Sequence, residues 1–93
     1  TYLSLEERKA ATILNKSLKL AKEKIQSGER NAVNIIEVIE NNIKFEKLAK
    51  IDYIEIVDSN SLEEVKEISK SILVAIAVFI GKTRLIDNFT YEL

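Results

Sequence analysis

Ile72-Leu73-Val74-Ala75-Ile76-Ala77-Val78-Phe79-Ile80, followed at once by Gly81-Lys82 and Thr83-Arg84-Leu85-Ile86-Asp87-Asn88, is the stretch on which the fold turns. An unbroken apolar run rich in β-branched side chains predicts a central strand that is apolar on both faces. Alternation assigns Ile72, Val74, Ile76, Val78 and Ile80 to one face and Leu73, Ala75, Ala77 and Phe79 to the other. Gly81 opens a two-residue turn of the kind a type II′ hairpin requires, so 83–88 returns antiparallel. A strand with two apolar faces needs cover on both, and the rest of the chain has to supply it.

Upstream, in 51–57, Ile54 and Ile56 point one way and Tyr53, Glu55 and Val57 the other, which predicts a half-buried strand closed by Asp58-Ser59-Asn60-Ser61. Ser61-Leu62-Glu63-Glu64 resembles a capping box and predicts a short helix within 62–70. Nearer the N-terminus, Ser4-Leu5-Glu6-Glu7 and Gly28 bound a helix over 5–27, with Ala11, Leu14, Leu18, Ala21 and Ile25 as its apolar stripe. Ile13 and Leu20 project to a second side, which means either a wide contact or a partner domain or subunit that this chain lacks. Asn31 caps a second helix to about residue 43, its apolar positions being Val33, Ile36, Ile39 or Val38, and Ile43. Residues 44–50 read as a helical end or connector. The resulting architecture is α+β: a single domain over 1–93, with two long helices packed on a small, about three-stranded antiparallel sheet that ends in a β-hairpin. Only 44–50, 62–70 and the tail 89–93 remain to cover the second sheet face, and an apolar face without enough cover marks an interface.

Composition narrows the chemistry. The 93 residues carry 14 basic and 15 acidic side chains and no His, Cys, Met, Trp or Pro. With 46% hydrophobic and 31% charged residues the chain has a globular composition. Zinc, haem and iron-sulfur sites have no usual ligand, so only carboxylate metal sites remain. The commonest general base and every Ser-His or Cys-His pair are missing as well, which argues against freestanding catalysis. The longest apolar run falls well short of the roughly 20 residues of a membrane helix, and no signal-peptide pattern is seen, so a cytoplasmic protein is expected. Near-neutral charge and few aromatic residues argue against nucleic acid. With no methionine, Thr1 is either exposed by trimming or is not the natural start.

Candidate functional side chains are few. Arg84, Asp87 and Asn88 could hold an anion or polar substrate, Arg presenting a planar fork and Asn both a donor and an acceptor. Strand alternation sends Arg84 and Asp87 to opposite faces, and the simpler role for Arg84 is a cross-strand pair with Glu55 or Asp58. Gly81-Lys82-Thr83 shares the last letters of a phosphate-binding loop, but the upstream glycine is missing and a hairpin surrounds it. Lys9, Lys16, Lys19 and Glu23 form a mixed, solvated helix face. Asp52 and Asp58 share a face by simple alternation yet lie about 20 Å apart along a strand, too far to serve one centre.

Four separated segments together resemble the C-terminal domain of the pantothenate synthetases, the pantoate-β-alanine ligases. They are Tyr2-Leu3-Ser4 with Glu7-Arg8, the turn Gly28-Glu29-Arg30, the strand Asp52-Tyr53-Ile54-Glu55-Ile56-Val57-Asp58, and above all Gly81-Lys82-Thr83-Arg84-Leu85-Ile86-Asp87-Asn88. The resemblance covers nearly the whole chain in order. It departs at 61–70, where the family often has Pro or Gly and this chain reads as helical. The resemblance implies a two-domain enzyme that uses ATP, with Mg, to condense pantoate and β-alanine through a pantoyl-adenylate, releasing pyrophosphate and AMP. It also implies that a Rossmann-like N-terminal domain, absent here, carries the catalytic residues, with a Ser-Ser-Arg-Asn segment just before the position of Tyr2. No catalytic, metal or ATP-binding residue is therefore expected in this chain, which the resemblance casts as a lid over the active site. Tyr2, Arg84, Asp87 and Asn88 are then candidates for contacts with the missing domain or in the closed state. The alternatives are a freestanding module that self-associates through its uncovered sheet face, and an anion-binding regulatory domain using Arg84.

Overall fold

The computed structural model describes residues 4–93, the side chains of Glu6 and Ala10 excepted. Helix α1 (Leu5–Gln26) starts with a reciprocal capping box: Ser4 Oγ accepts from the Glu7 N–H, and the Glu7 carboxylate accepts from the Ser4 N–H. Two orphan donors of the first turn are thereby satisfied, a gain of about 1 kcal/mol. Beyond the last turn Gly28 adopts φ +112°, the left-handed geometry that stops a helix. Arg30 Nη1 donates to the Ile25 carbonyl at 2.8 Å and seals that end. Asn31 then caps α2 (Ala32–Ile43) by accepting from the Val33 N–H.

The remainder is an antiparallel meander of β1 (Ala49–Asp58), β2 (Ile72–Ile80) and β3 (Thr83–Tyr91), with β2 in the centre. Ile80 faces Thr83 across a two-residue turn, and Gly81 has φ +62° while Lys82 stays out of the left-handed region, as type II′ geometry asks. Both helices lie on one face of the sheet, giving the α+β architecture the sequence implies. The inner side chains of β2, Ile72 through Ile80 at every second position, are at most 1% exposed. They pack against Leu14, Leu18, Ala21 and Ile25 of α1 and Ile35, Ile39 and Ile43 of α2.

The second side of α1 meets α2. Ile13 packs against the core, Leu20 and Val38 line one groove, and the buried Ser17 hydroxyl donates to the Ile13 carbonyl while accepting from Asn42 Nδ2, both at 2.7 Å. The width of the helix is thus explained within the chain, and a partner is not needed for it. Along α2 the buried positions are Ala32, Ile35, Ile39 and Ile43, whereas Val33 is 56% exposed and Ile36 only half-buried. The helix is rotated from the expected stripe because its start is tied down: the Ala32 N–H donates to the Lys66 carbonyl, and the Ile68 N–H to that of Arg30.

That tie comes from 62–70, which is not a helix. Asp58 Oδ1 accepts from the N–H groups of Asn60 and Ser61, and Leu62 takes φ +62°, a geometry that cannot start a right-handed helix. The chain instead runs along the free edge of β1, where the Asp58 N–H donates to Glu63 and the Val65 N–H to Ile56. Edge pairing satisfies backbone groups that a helix would leave bare on β1, and it delivers Ile68 into the core, 2% exposed.

β1 is longer than predicted and contains a bulge. Ile51 pairs with Val78 and Tyr53 with Ala77, leaving Asp52 as the extra residue. Asp52 and Tyr53 both fall on the outer side, so Ile51, Ile54 and Ile56 all point inward despite a spacing of three and then two. β3 also runs further than expected, to Tyr91, and turns Phe89 and Tyr91 toward the core.

Candidate functional site

The sheet's outer face is the surface that the fold leaves without a layer. The connector after α2, the extended segment beside β1 and the end of β3 all stay at the rim or in the sheet plane. Val57, Leu73 and Ala75 are half-buried on this face, Phe79 is 38% exposed and Ile86 55%.

Arg84 is the best-held charge there. From β3 its side chain reaches over β2 to Asp52 on β1, with Nε donating to Oδ2 at 3.0 Å and Nη2 at 2.9 Å from the same oxygen. The guanidinium carbon also lies 5.7 Å from the centre of the Tyr53 ring. Both partners come from the bulge, which turns two successive residues outward to receive one arginine. The pair is open to water, at 42% and 38% side-chain exposure, so its direct stabilisation is about 0–1 kcal/mol. Its effect is positional: it fixes a cation flat on an otherwise apolar face. Ala77 beside Tyr53 in the register is fully buried although it points outward, because its neighbours close over it.

Of the residues singled out in the sequence, Arg84 and Asn88 share this outer face, while Asp87 points inward to the groove that α1 forms with β3, beside Asn15, Lys19 and Lys22. Arg84 and Asp87 are therefore on opposite faces, as alternation requires. The partner of Arg84 is Asp52, not Glu55 or Asp58, because the bulge inserts Asp52 where a regular strand would not. For the same reason Asp52 and Asp58 do not share a face; Asp58 pairs opposite the inward Ile72. Tyr2 lies outside the described residues. The Asp52–Tyr53 receptor was missed in sequence, although its signal was present: Ile51, Ile54 and Ile56 break period two by one residue.

Two carboxylates elsewhere are held below their ordinary pKa. Asp58 is lowered chiefly by the N–H of Ser61 and then that of Asn60. Glu29 is lowered by the N–H of Asn31, then by the Asn34 side chain. Each closes a turn, and neither faces Arg84. A groove of about 300 Å³ between β1, α2 and the 62–65 stretch is lined by Ile36, Ile54, Val57, Leu62 and Val65 with the carboxylates of Glu55 and Glu64. Among the described residues no three acidic side chains converge as a metal site would require, and no helix is long and apolar enough to cross a membrane.

Comparison with known proteins bears on the missing cover. Residues 1–90 match the family described as pantoate-beta-alanine ligase. The pantothenate synthetase of Enterococcus faecalis is 70% identical over 93 residues, which is 100% of this chain and 33% of that protein. That of Clostridioides difficile is 69% identical over the same 93 residues, again 33% of its length. The crystal structure of pantothenate synthetase from Thermus thermophilus superimposes with a TM-score of 0.85 at 27% identity, over 95% of this chain and 32% of that one. The chain thus spans about a third of the length of its curated relatives, and it matches their C-terminal domain.

Proposed function

Because the chain belongs to the pantoate-beta-alanine ligase family, we propose that it is the C-terminal lid of a cytoplasmic enzyme that condenses pantoate and β-alanine at the expense of ATP. In that reaction the pantoate carboxylate attacks the α-phosphorus of ATP, pyrophosphate leaves, and the β-alanine amine then displaces AMP from the pantoyl-adenylate. The preceding domain supplies the reacting groups and holds ATP with Mg. This domain contributes exclusion of water: an acyl-adenylate hydrolyses if solvent reaches it before the amine, and a closed cover also strengthens the electrostatic contacts beneath it. Tyr2, Arg84, Asp87 and Asn88 remain the proposed contacts with the preceding domain or in the closed state, with Arg84 held ready on the outer face.

The observation that carries this reading is the family match along the whole chain, combined with an extent of only a third of the relatives. In the full-length protein, AMP and pantothenate should form in equal amounts, and the 93-residue chain by itself should release no AMP from ATP, pantoate and β-alanine. The preceding domain alone should still release pyrophosphate, but with more AMP than pantothenate, the excess being adenylate lost to water. Turnover by the isolated chain, or an unchanged ratio after removing it, would refute the lid.

The uncovered outer face also suits a freestanding module that self-associates. Sedimentation of this chain as a monomer at every concentration tested would exclude that reading. An anion-binding regulatory role is less well supported, since Asp52 already neutralises Arg84.

A further inference from the structure

We infer that the bare edge of β1, with the groove beneath α2, takes an extended peptide segment of another protein as a short added strand. One apolar side chain of that segment enters the groove, and the basic side chain next to it meets Glu55 and Glu64. This edge plays no part in the lid reading. Ile56 accepts from the Val65 N–H and Asp58 donates to the Glu63 carbonyl, so residues 56 and 58 turn their polar backbone groups away from β2. Two residues earlier, Ile54 turns its N–H and carbonyl the same way. The segment that covers the edge has left by then: the Lys66 carbonyl accepts from Ala32 and the Ile68 N–H donates to Arg30, both at the start of α2. Among the described residues, no backbone group outside the sheet bonds to β1 between Lys50 and Glu55. Unpaired edge groups of this kind are a template for one more strand. The bulge at Asp52 ends the regular stretch, so the added strand pairs along 53–55 only.

The side chains around this edge select what the peptide carries. α2 packs over β1, and the groove of about 300 Å³ beside them is lined by Ile36, Ile54 and Val65, with Leu62, 64% exposed, at its mouth. Ile54 faces inward, so the peptide residue opposite it points under α2 into this apolar groove. The next peptide residue faces outward, opposite Glu55. Glu64 lies on that same side, because it pairs with Val57, two residues from Glu55. Both carboxylates line the groove, no basic side chain does, and among the described residues neither forms an ion pair. A Lys or Arg at that position therefore meets two uncompensated charges, whereas an acidic residue is repelled. Backbone pairing supplies the affinity of strand addition, and the pockets for alternate side chains supply its selectivity. The groove sits toward the end of β1 that pairs with Ile72, away from the Gly81 turn and from the start of α1 beside that turn.

The probe is the synthetic peptide acetyl-Thr-Val-Arg-Val-Thr-amide, titrated into isotope-labelled full-length protein, with the backbone amides of Ile54 and Val65 followed by NMR. Saturable shifts at both amides are expected, with a Kd of about 1 mM for so short a strand. Glu55→Gln combined with Glu64→Gln, both exposed positions that leave the fold intact, should weaken binding about fivefold, a difference that shrinks as salt rises. The same peptide with Glu in place of Arg should not saturate, and N-methylation of both valines, which removes the strand's donors, should abolish the shifts. Equal binding of the Arg and Glu peptides, or no loss in the double variant, would overturn the proposal. So would binding that survives N-methylation, shifts confined to another surface, or no saturation up to about 10 mM peptide. Shifts at Ile54 that follow protein concentration with no peptide present would make a second copy of the chain the occupant, and the proposal would fail.

Discussion

Deleting Asp52 should leave the fold standing, an outcome that a regular β1 would forbid. In an unbulged strand, removing one residue turns every side chain on one side of the deletion to the opposite face. Here that would expose Ile54 and Ile56, the latter only 1% exposed, at a cost of about 3–6 kcal/mol for two isoleucines. At the bulge the geometry differs. Ile51 already faces Val78 and Tyr53 already faces Ala77, so excising Asp52 joins two segments that are in register and restores simple alternation. What is lost is the contact with Arg84, about 0–1 kcal/mol for a pair this exposed. For a domain of this size each kcal/mol shifts the melting temperature by about 4–8 °C. Thermal unfolding followed by circular dichroism should therefore show the deletion within about 8 °C of the parent, close to Asp52→Ala. A drop of about 12 °C or more, or loss of the cooperative transition, would show that Asp52 is an ordinary strand residue and that the inward assignment of Ile51 is wrong.

Gly81→Ala should destabilise by about 1–2 kcal/mol, since alanine is strained at φ +62°, and Glu7→Ala in the same chain should recover only the part due to crowding at 3.2 Å; denaturant midpoints of the single and double variants separate the two terms. Ser17 and Asn42 should couple by about 1 kcal/mol in a double-mutant cycle, and Ser17→Ala with Asn42→Leu together should cost less than Asn42→Ala alone, because no buried hydroxyl is then left short of its donor. Coupling near zero would mean that α1 and α2 do not meet through this pair. Asp58 and Glu29 are both lowered from ordinary values of 3.8 and 4.5, so their contribution is complete above those values and is lost as pH falls through the lower folded ones. Melting temperature should fall on acidification below about pH 4.5, less steeply in Asp58→Asn and Glu29→Gln, and an identical slope in both variants would remove these carboxylates from the acid response.

What could be read from the sequence and what could not divide along a physical line. The β2 faces, the type II′ turn, the capping box at Ser4 and the stop at Gly28 depend on neighbours a few residues apart, and the folded chain reproduces each. The failures lie where a distant segment overrides a local signal. Ser61-Leu62-Glu63-Glu64 has the letters of a helix start, but the free edge of β1 offers backbone hydrogen bonds to 63–65 and the core offers a place for Ile68, and both are taken only by an extended chain. Val33 and Ile36 fit a helical stripe as well as Ala32 and Ile35 do; the choice between them is made by Lys66 and Ile68, which hold the start of α2 from more than thirty residues away.

The same competition explains why the arginine cluster was half visible. Alternation along β3 correctly separates Arg84 from Asp87, because no other segment disturbs that strand. Its partner on β1 could not be found by counting in twos, since the bulge exists to bring Ile51 inward and carries Asp52 and Tyr53 outward as a consequence. The core's demand for one isoleucine thus builds the receptor for Arg84 on the opposite face. A substitution that made Ile51 polar would be expected to reach Arg84 without touching it, by removing the reason for the bulge. Ile51→Thr should therefore loosen the Arg84–Asp52 contact, and side-chain guanidinium exchange of Arg84 by NMR, faster than in the parent, would register the loss. Unchanged exchange would mean that the bulge is held by the Arg84–Asp52–Tyr53 contact itself, with the burial of Ile51 as the passenger.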